Sequence, residues 1–110
     1  SLLACQQAES VIAPEVFKEK SVNQLVVDVR TPGEFNAGHI EGAINIDFMG
    51  ASFAEGFAQF DKEKPVFVYC KSGNRSGKAA AKLGALGFKE VYDLKGGIKN
   101  WESTQYPVVK

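Results

Sequence analysis

The run Pro65-Val66-Phe67-Val68-Tyr69, together with the two segments after it, constrains this chain most. Four β-branched or aromatic residues after a proline have the pattern of a strand buried on both faces. Cys70-Lys71-Ser72-Gly73-Asn74-Arg75-Ser76 comes next, rich in turn and capping residues, and then Gly77-Lys78-Ala79-Ala80-Ala81-Lys82-Leu83, which has a helical composition. A buried strand therefore hands over to a helix through a loop that begins with a cysteine. Strands of this kind need parallel partners joined by crossover helices.

The rest of the chain supplies such partners. Leu25-Val26-Val27-Asp28-Val29 is a second apolar, β-branched run, and Thr31-Pro32-Gly33 breaks it. Val11-Ile12, Ala43-Ile44-Asn45-Ile46 and Glu90-Val91-Tyr92-Asp93-Leu94 read as further short strands. Helices are expected over Pro14–Lys18 with proline in the first turn, as one turn over Glu34–Ala37, and from about Arg75 to Leu86, ending at Gly87. Ser52-Phe53-Ala54-Glu55 has capping-box spacing for a helix through about Phe60, with Phe53, Phe57 and Phe60 on one face. Gly96-Gly97-Ile98-Lys99-Asn100-Trp101 turns into a last helix. Alternating strands and helices predict an α/β domain with a mainly parallel sheet, whose ligands lie beyond the carboxyl ends of its strands. Cys70 falls at such an end.

A chain of 110 residues builds one domain, expected over residues 10–110 with residues 1–9 as a tether. Thirteen basic and thirteen acidic residues cancel, leaving no electrostatic footprint for nucleic acid or for an anionic membrane surface. The two cysteines, Cys5 and Cys70, make neither a disulfide framework nor a zinc-spaced cluster, so no metal and no cofactor is expected. Leu2-Leu3-Ala4-Cys5 resembles the lipobox that closes bacterial lipoprotein signal peptides; against it, a start at Ser1 rather than methionine fits a truncated chain whose Ser1-Leu2 are vector residues. If Cys5 carries lipid, the domain is membrane-tethered and faces the periplasm or the cell exterior; otherwise it is cytoplasmic.

The chemistry expected at Cys70 is set by its place. The first N–H groups of a helix lack intrahelical partners and the helix dipole puts partial positive charge there, so anions are stabilised. With Lys71 and Arg75 beside it, Cys70 has surroundings that favour thiolate over thiol. Ser72, Gly73, Asn74 and Ser76 let the backbone curl its N–H groups inward as an anion-binding nest. A cysteine that merely ends a strand as a small hydrophobe is the competing reading. The two basic residues weigh against it, because neither has a packing purpose there.

Three segments carry a resemblance: Asp28-Val29-Arg30-Thr31-Pro32-Gly33-Glu34-Phe35 continuing to Gly38-His39-Ile40-Glu41-Gly42-Ala43, the Cys70–Ser76 loop, and Gly96-Gly97-Ile98-Lys99-Asn100-Trp101. In order and spacing they resemble the single-domain rhodaneses, which are thiosulfate or persulfide sulfurtransferases. The resemblance implies a five-stranded, mainly parallel sheet flanked by helices on both faces, and a catalytic Cys70 that becomes a persulfide. It implies a small sulfur donor, such as thiosulfate or glutathione persulfide, or a protein persulfide, and cyanide or a thiol, including a protein thiol, as acceptor. The amides from Lys71 to Ser76 would hold thiolate and persulfide, while Lys71 and Arg75 would attract a dianionic donor. Ser72 and Asn74 would contact donor or shape the loop. Asp28, Arg30 and Glu34 are expected in ion pairs or loop hydrogen bonds near the site, His39 in organising its loop, and Trp101 in anchoring the last helix.

Two rival readings have distinct signatures. Phosphatase and arsenate-reductase loops resemble Cys-x5-Arg, whereas four residues separate Cys70 from Arg75 here. One residue fewer removes up to about 3.5 Å of contour and suits a single sulfur better than a tetrahedral oxyanion. A binding module of the same fold without turnover would usually lose the cysteine. Gln105 is a minor departure, standing where the family often places glycine before its closing Pro-Val.

Overall fold

Five short strands form one sheet in the computed structural model, which describes residues 8–110. They are β1 (Glu9–Ile12), β2 (Leu25–Asp28), β3 (Ile44–Asn45), β4 (Val66–Tyr69) and β5 (Val91–Leu94), and the order is β1-β5-β4-β2-β3 with every pair parallel. The helices are α1 (Pro14–Lys20), α2 (Pro32–Ala37), α3 (Phe53–Gly56), α4 (Asn74–Ala85) and α5 (Gly97–Ser103). The central strand β4 is buried at all four positions, as its unbroken apolar run requires.

Alternation along the strands divides the core. Val66, Val68 and Cys70 face one side with Val27 and Val29, beneath Ala79, Ala80 and Leu83 of α4 and beside Phe53 and Phe57. Phe67 and Tyr69 face the other side, against Phe17 of α1 and Ile98 and Trp101 of α5. Helices thus cover both faces. Trp101 anchors α5 edge-on to Phe17 at 6.2 Å, and its indole N–H donates to the Pro107 carbonyl at 2.9 Å.

Several boundaries differ from expectation for identifiable reasons. The helix expected to run to Phe60 stops at Gly56, and Ser52 makes no cap hydrogen bond. Phe57, Ala58 and Phe60 donate instead to carbonyls three residues back, so the chain coils in tighter turns. Burial of the phenylalanines wins over helical geometry there: Phe53 and Phe57 meet at 5.0 Å and Phe57 and Phe60 at 6.2 Å. Thr31-Pro32-Gly33 ends β2, and it also opens α2 two residues before the expected Glu34, because Thr31 and Glu34 form a reciprocal capping box. Helix α4 spans one residue earlier at each end than expected. The sheet also takes in Glu9, opposite Val91, one residue before the expected domain start. Gln105 adopts φ +66°, a left-handed conformation that explains the family's use of glycine at that turn. The lipobox-like Leu2–Cys5 lies outside the described residues. Among those described, no helix is long and apolar enough to cross a membrane.

Candidate active site

Cys70 is the first residue beyond β4 and is 1% exposed. Its Sγ accepts the Gly73 N–H at 3.1 Å. Gly73 makes that contact by taking φ +108°, which reverses the chain within three residues and aims its amide back at the sulfur. Of the amides expected to line the loop, from Lys71 to Ser76, Gly73 is the one in bonding geometry with Sγ among the described residues. Helix α4 starts at the next residue with no side-chain cap, so its N-terminal field is open toward the cysteine.

A second helix end holds the loop from behind. Ile98 and Lys99, in the first turn of α5, donate their N–H groups to the carbonyls of Cys70 and Lys71 at 2.9 and 3.0 Å. The approach depends on Gly97, at φ +66°: a β-carbon there would lie 2.7 Å from the Cys70 carbonyl oxygen and would overlap the Lys71 carbonyl. Sequence reasoning placed Gly96-Gly97 in a turn and missed this role. The doubled glycine was the available signal, since adjacent positive-φ positions often mark a close backbone approach.

The basic residues of the loop have different fates. Arg75 donates from Nη1 and Nη2 to Oε1 and Oε2 of Glu34 at 2.7 and 3.0 Å. Those bonds, more than any other cause, hold the Glu34 carboxyl down at about 2. Lys71 is exposed, in no ion pair among the described residues, and beside a cleft of about 370 Å³ that Lys99, Glu102 and Ile98 also line. Among the described residues Lys71 and Lys99 both border this cleft outside any ion pair, while Arg75 ties α4 to α2. Ser72 and Asn74 are exposed on the loop, and Ser76 is fully buried beneath it.

The Glu34–Arg75 pair makes a pH prediction. Because the folded carboxyl sits below its ordinary 4.5, its stabilisation is present above that pH and is lost as pH falls toward about 2. At this partly exposed position the contribution is about 1 kcal/mol. Urea unfolding at pH 5 and pH 3 is expected to show Glu34→Gln losing less stability over that interval than the native chain; equal losses would remove the assignment.

The other motif residues build the floor. Buried Asp28 accepts from the Arg30 backbone N–H at 2.9 Å and from its Nε and Nη2 at 3.0 and 2.7 Å. Arg30 Nη2 donates onward to the Gly38 carbonyl at 2.6 Å, and Asn45 Nδ2 donates to the carbonyls of Asp28 and Arg30. The Tyr69 hydroxyl accepts the Ile40 N–H at 3.0 Å, and its phenol is pushed up by burial and then by the Asp28 charge. These bonds fasten the Gly38–Ile40 segment to the ends of β2 and β4. His39 stacks on Phe35 at 3.8 Å, places Nδ1 2.9 Å from the Phe35 carbonyl, and exchanges backbone hydrogen bonds with Val109. These contacts are with α2 and the C-terminal tail, and no hydrogen bond among the described residues joins His39 to Cys70. Asp93, which sequence reasoning absorbed into an apolar strand, is buried with Ser76 under α4. An acid inside a run of Val, Tyr and Leu was the signal. Among the described residues, no group of three or more His, Cys, Asp or Glu could hold a metal ion.

Comparison with known proteins shows the family and the fold. The family model for the rhodanese-like domain matches residues 13–104. The thiosulfate sulfurtransferase GlpE of Pseudomonas putida is 42% identical over 98 residues, covering 87% of this chain and 86% of the relative. The uncharacterized protein YqhL of Bacillus subtilis is 38% identical over 96 residues, covering 87% of this chain and 75% of its own. Among solved structures, a rhodanese-related protein from Thermoplasma volcanium aligns with TM-score 0.80 at 34% identity, covering 90% of this chain and 96% of that one.

Proposed function

The chain belongs to the rhodanese-like domain family, and on that premise we propose that it is a sulfurtransferase moving sulfane sulfur from thiosulfate or a persulfide to cyanide or a thiol through Cys70. The observation that carries the reading is the Cys70 Sγ, held by the Gly73 N–H at the open N-terminus of α4.

In the first half-reaction the Cys70 thiolate attacks the outer sulfur of thiosulfate. A new S–S bond forms, the old one breaks, and sulfite leaves with its electron pair, so the enzyme carries Cys70–S–S⁻. The Gly73 amide holds Sγ in place, and the α4 dipole stabilises the negative charge on the terminal sulfur. Lys71 draws the dianion to the loop and offsets charge as sulfite departs. In the second half-reaction cyanide or a thiolate attacks the terminal sulfur, forming thiocyanate or a new persulfide and returning the thiolate. Neither half-reaction requires a cofactor. The loop chemistry fits thiosulfate, a small persulfide and a protein persulfide or thiol alike, and Lys71 borders a cleft beside that loop.

Retention of Cys70 supports turnover rather than a binding module. The commitment of Arg75 to Glu34, with four residues between Cys70 and Arg75, supports sulfur over phosphoryl or arsenate chemistry. Steady-state rates of thiocyanate formation test the mechanism. Varying thiosulfate at several cyanide concentrations should give parallel double-reciprocal lines, as two separate half-reactions require; lines that intersect would reject the double displacement.

A further inference from the structure

The Cys70 loop stands on a buried hydroxyl and carboxyl that the sulfur chemistry above leaves unused. Asp93 is 3% exposed and pairs in register with Val68 of β4. It faces α4, since Val91 on the same side of β5 packs beneath that helix and Asp93 Oδ2 lies 3.8 Å from the β-carbon position of Gly77. Ser76, in the first turn of α4, is fully buried. Ser76 Oγ and Asp93 Oδ1 are both buried with no hydrogen-bond partner. Such atoms are rare in folded proteins and costly to keep. Cys70 lies two residues beyond Val68 on the same face, so strand spacing and rise place its side chain about 8 Å from Asp93.

We propose that Asp93, with Ser76, is a positioning residue of the Cys70 site whose ionisation opposes that of the thiol across the base of α4. The proposal rests on the reading of Cys70 as the nucleophile. Burial pushes the Asp93 carboxyl up from 3.8 to about 6, and the Ser76 hydroxyl opposes the shift without reaching good hydrogen-bond alignment. The groups facing it are few. Helix α4 presents Ser76, β4 leads to Cys70, and β1 offers the aliphatic Val11 in register and, two residues earlier on the same face, Glu9, whose carboxylate lies against Gly84 farther along α4. Below its titration the neutral acid can donate to Ser76 Oγ. Above it, the carboxylate accepts from Ser76, and its charge competes with the thiolate or persulfide for the positive end of α4.

Alkylation of the full chain by iodoacetamide from pH 5 to 9, read at the Cys70 peptide by mass spectrometry, tests the coupling without any sulfur donor. Asp93→Asn is expected to raise the rate about five- to thirtyfold on the rising part of the profile, the range for one charge at that distance in a partly screened interior. It should also erase an inflection near the Asp93 titration at about 6. Ser76→Ala, which removes the hydroxyl that favours the charged carboxyl, should move that inflection to higher pH and keeps the test open if Asp93→Asn does not fold. Profiles that superimpose on the native one in whichever variants fold would overturn the proposal. Thiocyanate assays on the same proteins separate the two readings: altered alkylation in a chain that transfers no sulfur would sink the sulfurtransferase reading and leave the coupling intact.

Discussion

Cys70→Ser is expected to reduce thiocyanate formation to below ~0.1% of the native rate while leaving the fold in place. Serine substitutes an oxygen for the sulfur at nearly the same position, so the Gly73 N–H keeps an acceptor and the end of β4 keeps its packing. A hydroxyl is a far weaker nucleophile than a thiolate, and the helix dipole with one exposed lysine is too little to ionise it. The hydroxyl is also more polar than the thiol it replaces, at a cost of about 1 kcal/mol in a buried site with one hydrogen bond. Urea unfolding would register that small loss. Turnover in the variant comparable with the native chain would take the nucleophile's role away from Cys70.

Gly97→Ala comes next in expected effect, although residue 97 bears no functional group. Its left-handed φ of +66° costs an alanine roughly 1 kcal/mol. The larger penalty is steric, because the added methyl would overlap the Lys71 carbonyl, whose position is set by the Lys99 N–H at 3.0 Å. Either α5 retreats or the Cys70 loop shifts. Both routes break the two hydrogen bonds that brace the loop, for a combined loss of about 3 kcal/mol. A displacement of an ångström at the nucleophile is enough to lower turnover about a hundredfold. Gly33→Ala is the control: a β-carbon there meets nothing within 4 Å, and alanine favours the helix that holds it. Thiocyanate assays and urea unfolding on both variants check the contrast, and equal behaviour of the two would mean that the α5 brace does not matter.

The parts of this molecule that sequence exposes are those where one physical requirement dominates. Buried parallel strands need unbroken β-branched runs, so β2 and β4 are readable, and the sequence itself marks the cysteine at the end of β4 as a strand-to-helix handover. Charged residues at the end of a buried strand need partners, which made pairing of Asp28 and Arg30 readable in kind. Where two requirements compete, the reading failed. Helix α3 is short because three phenylalanines must reach the core, a tertiary demand that local capping signals around Ser52 do not contain. Contacts across long separations were also hidden. Glu34 and Arg75 are 41 residues apart, and nothing in either segment names the other. Gly97 and Lys71 touch only because β4 and β5 are neighbours that each lead into a helix. Asp93 was lost for a different reason: a strand is recognised by its average, and one acid among apolar neighbours barely alters that average.

The most direct test of the sulfurtransferase reading is the intact mass of the native chain before thiosulfate, after it, and after subsequent cyanide, with the modified peptide identified. The expected result is a gain of about 32 Da, one sulfur, located on Cys70 and removed by cyanide with stoichiometric thiocyanate. A folded protein that gains no mass from thiosulfate or from a persulfide donor, or that carries the sulfur elsewhere than Cys70, would contradict the account.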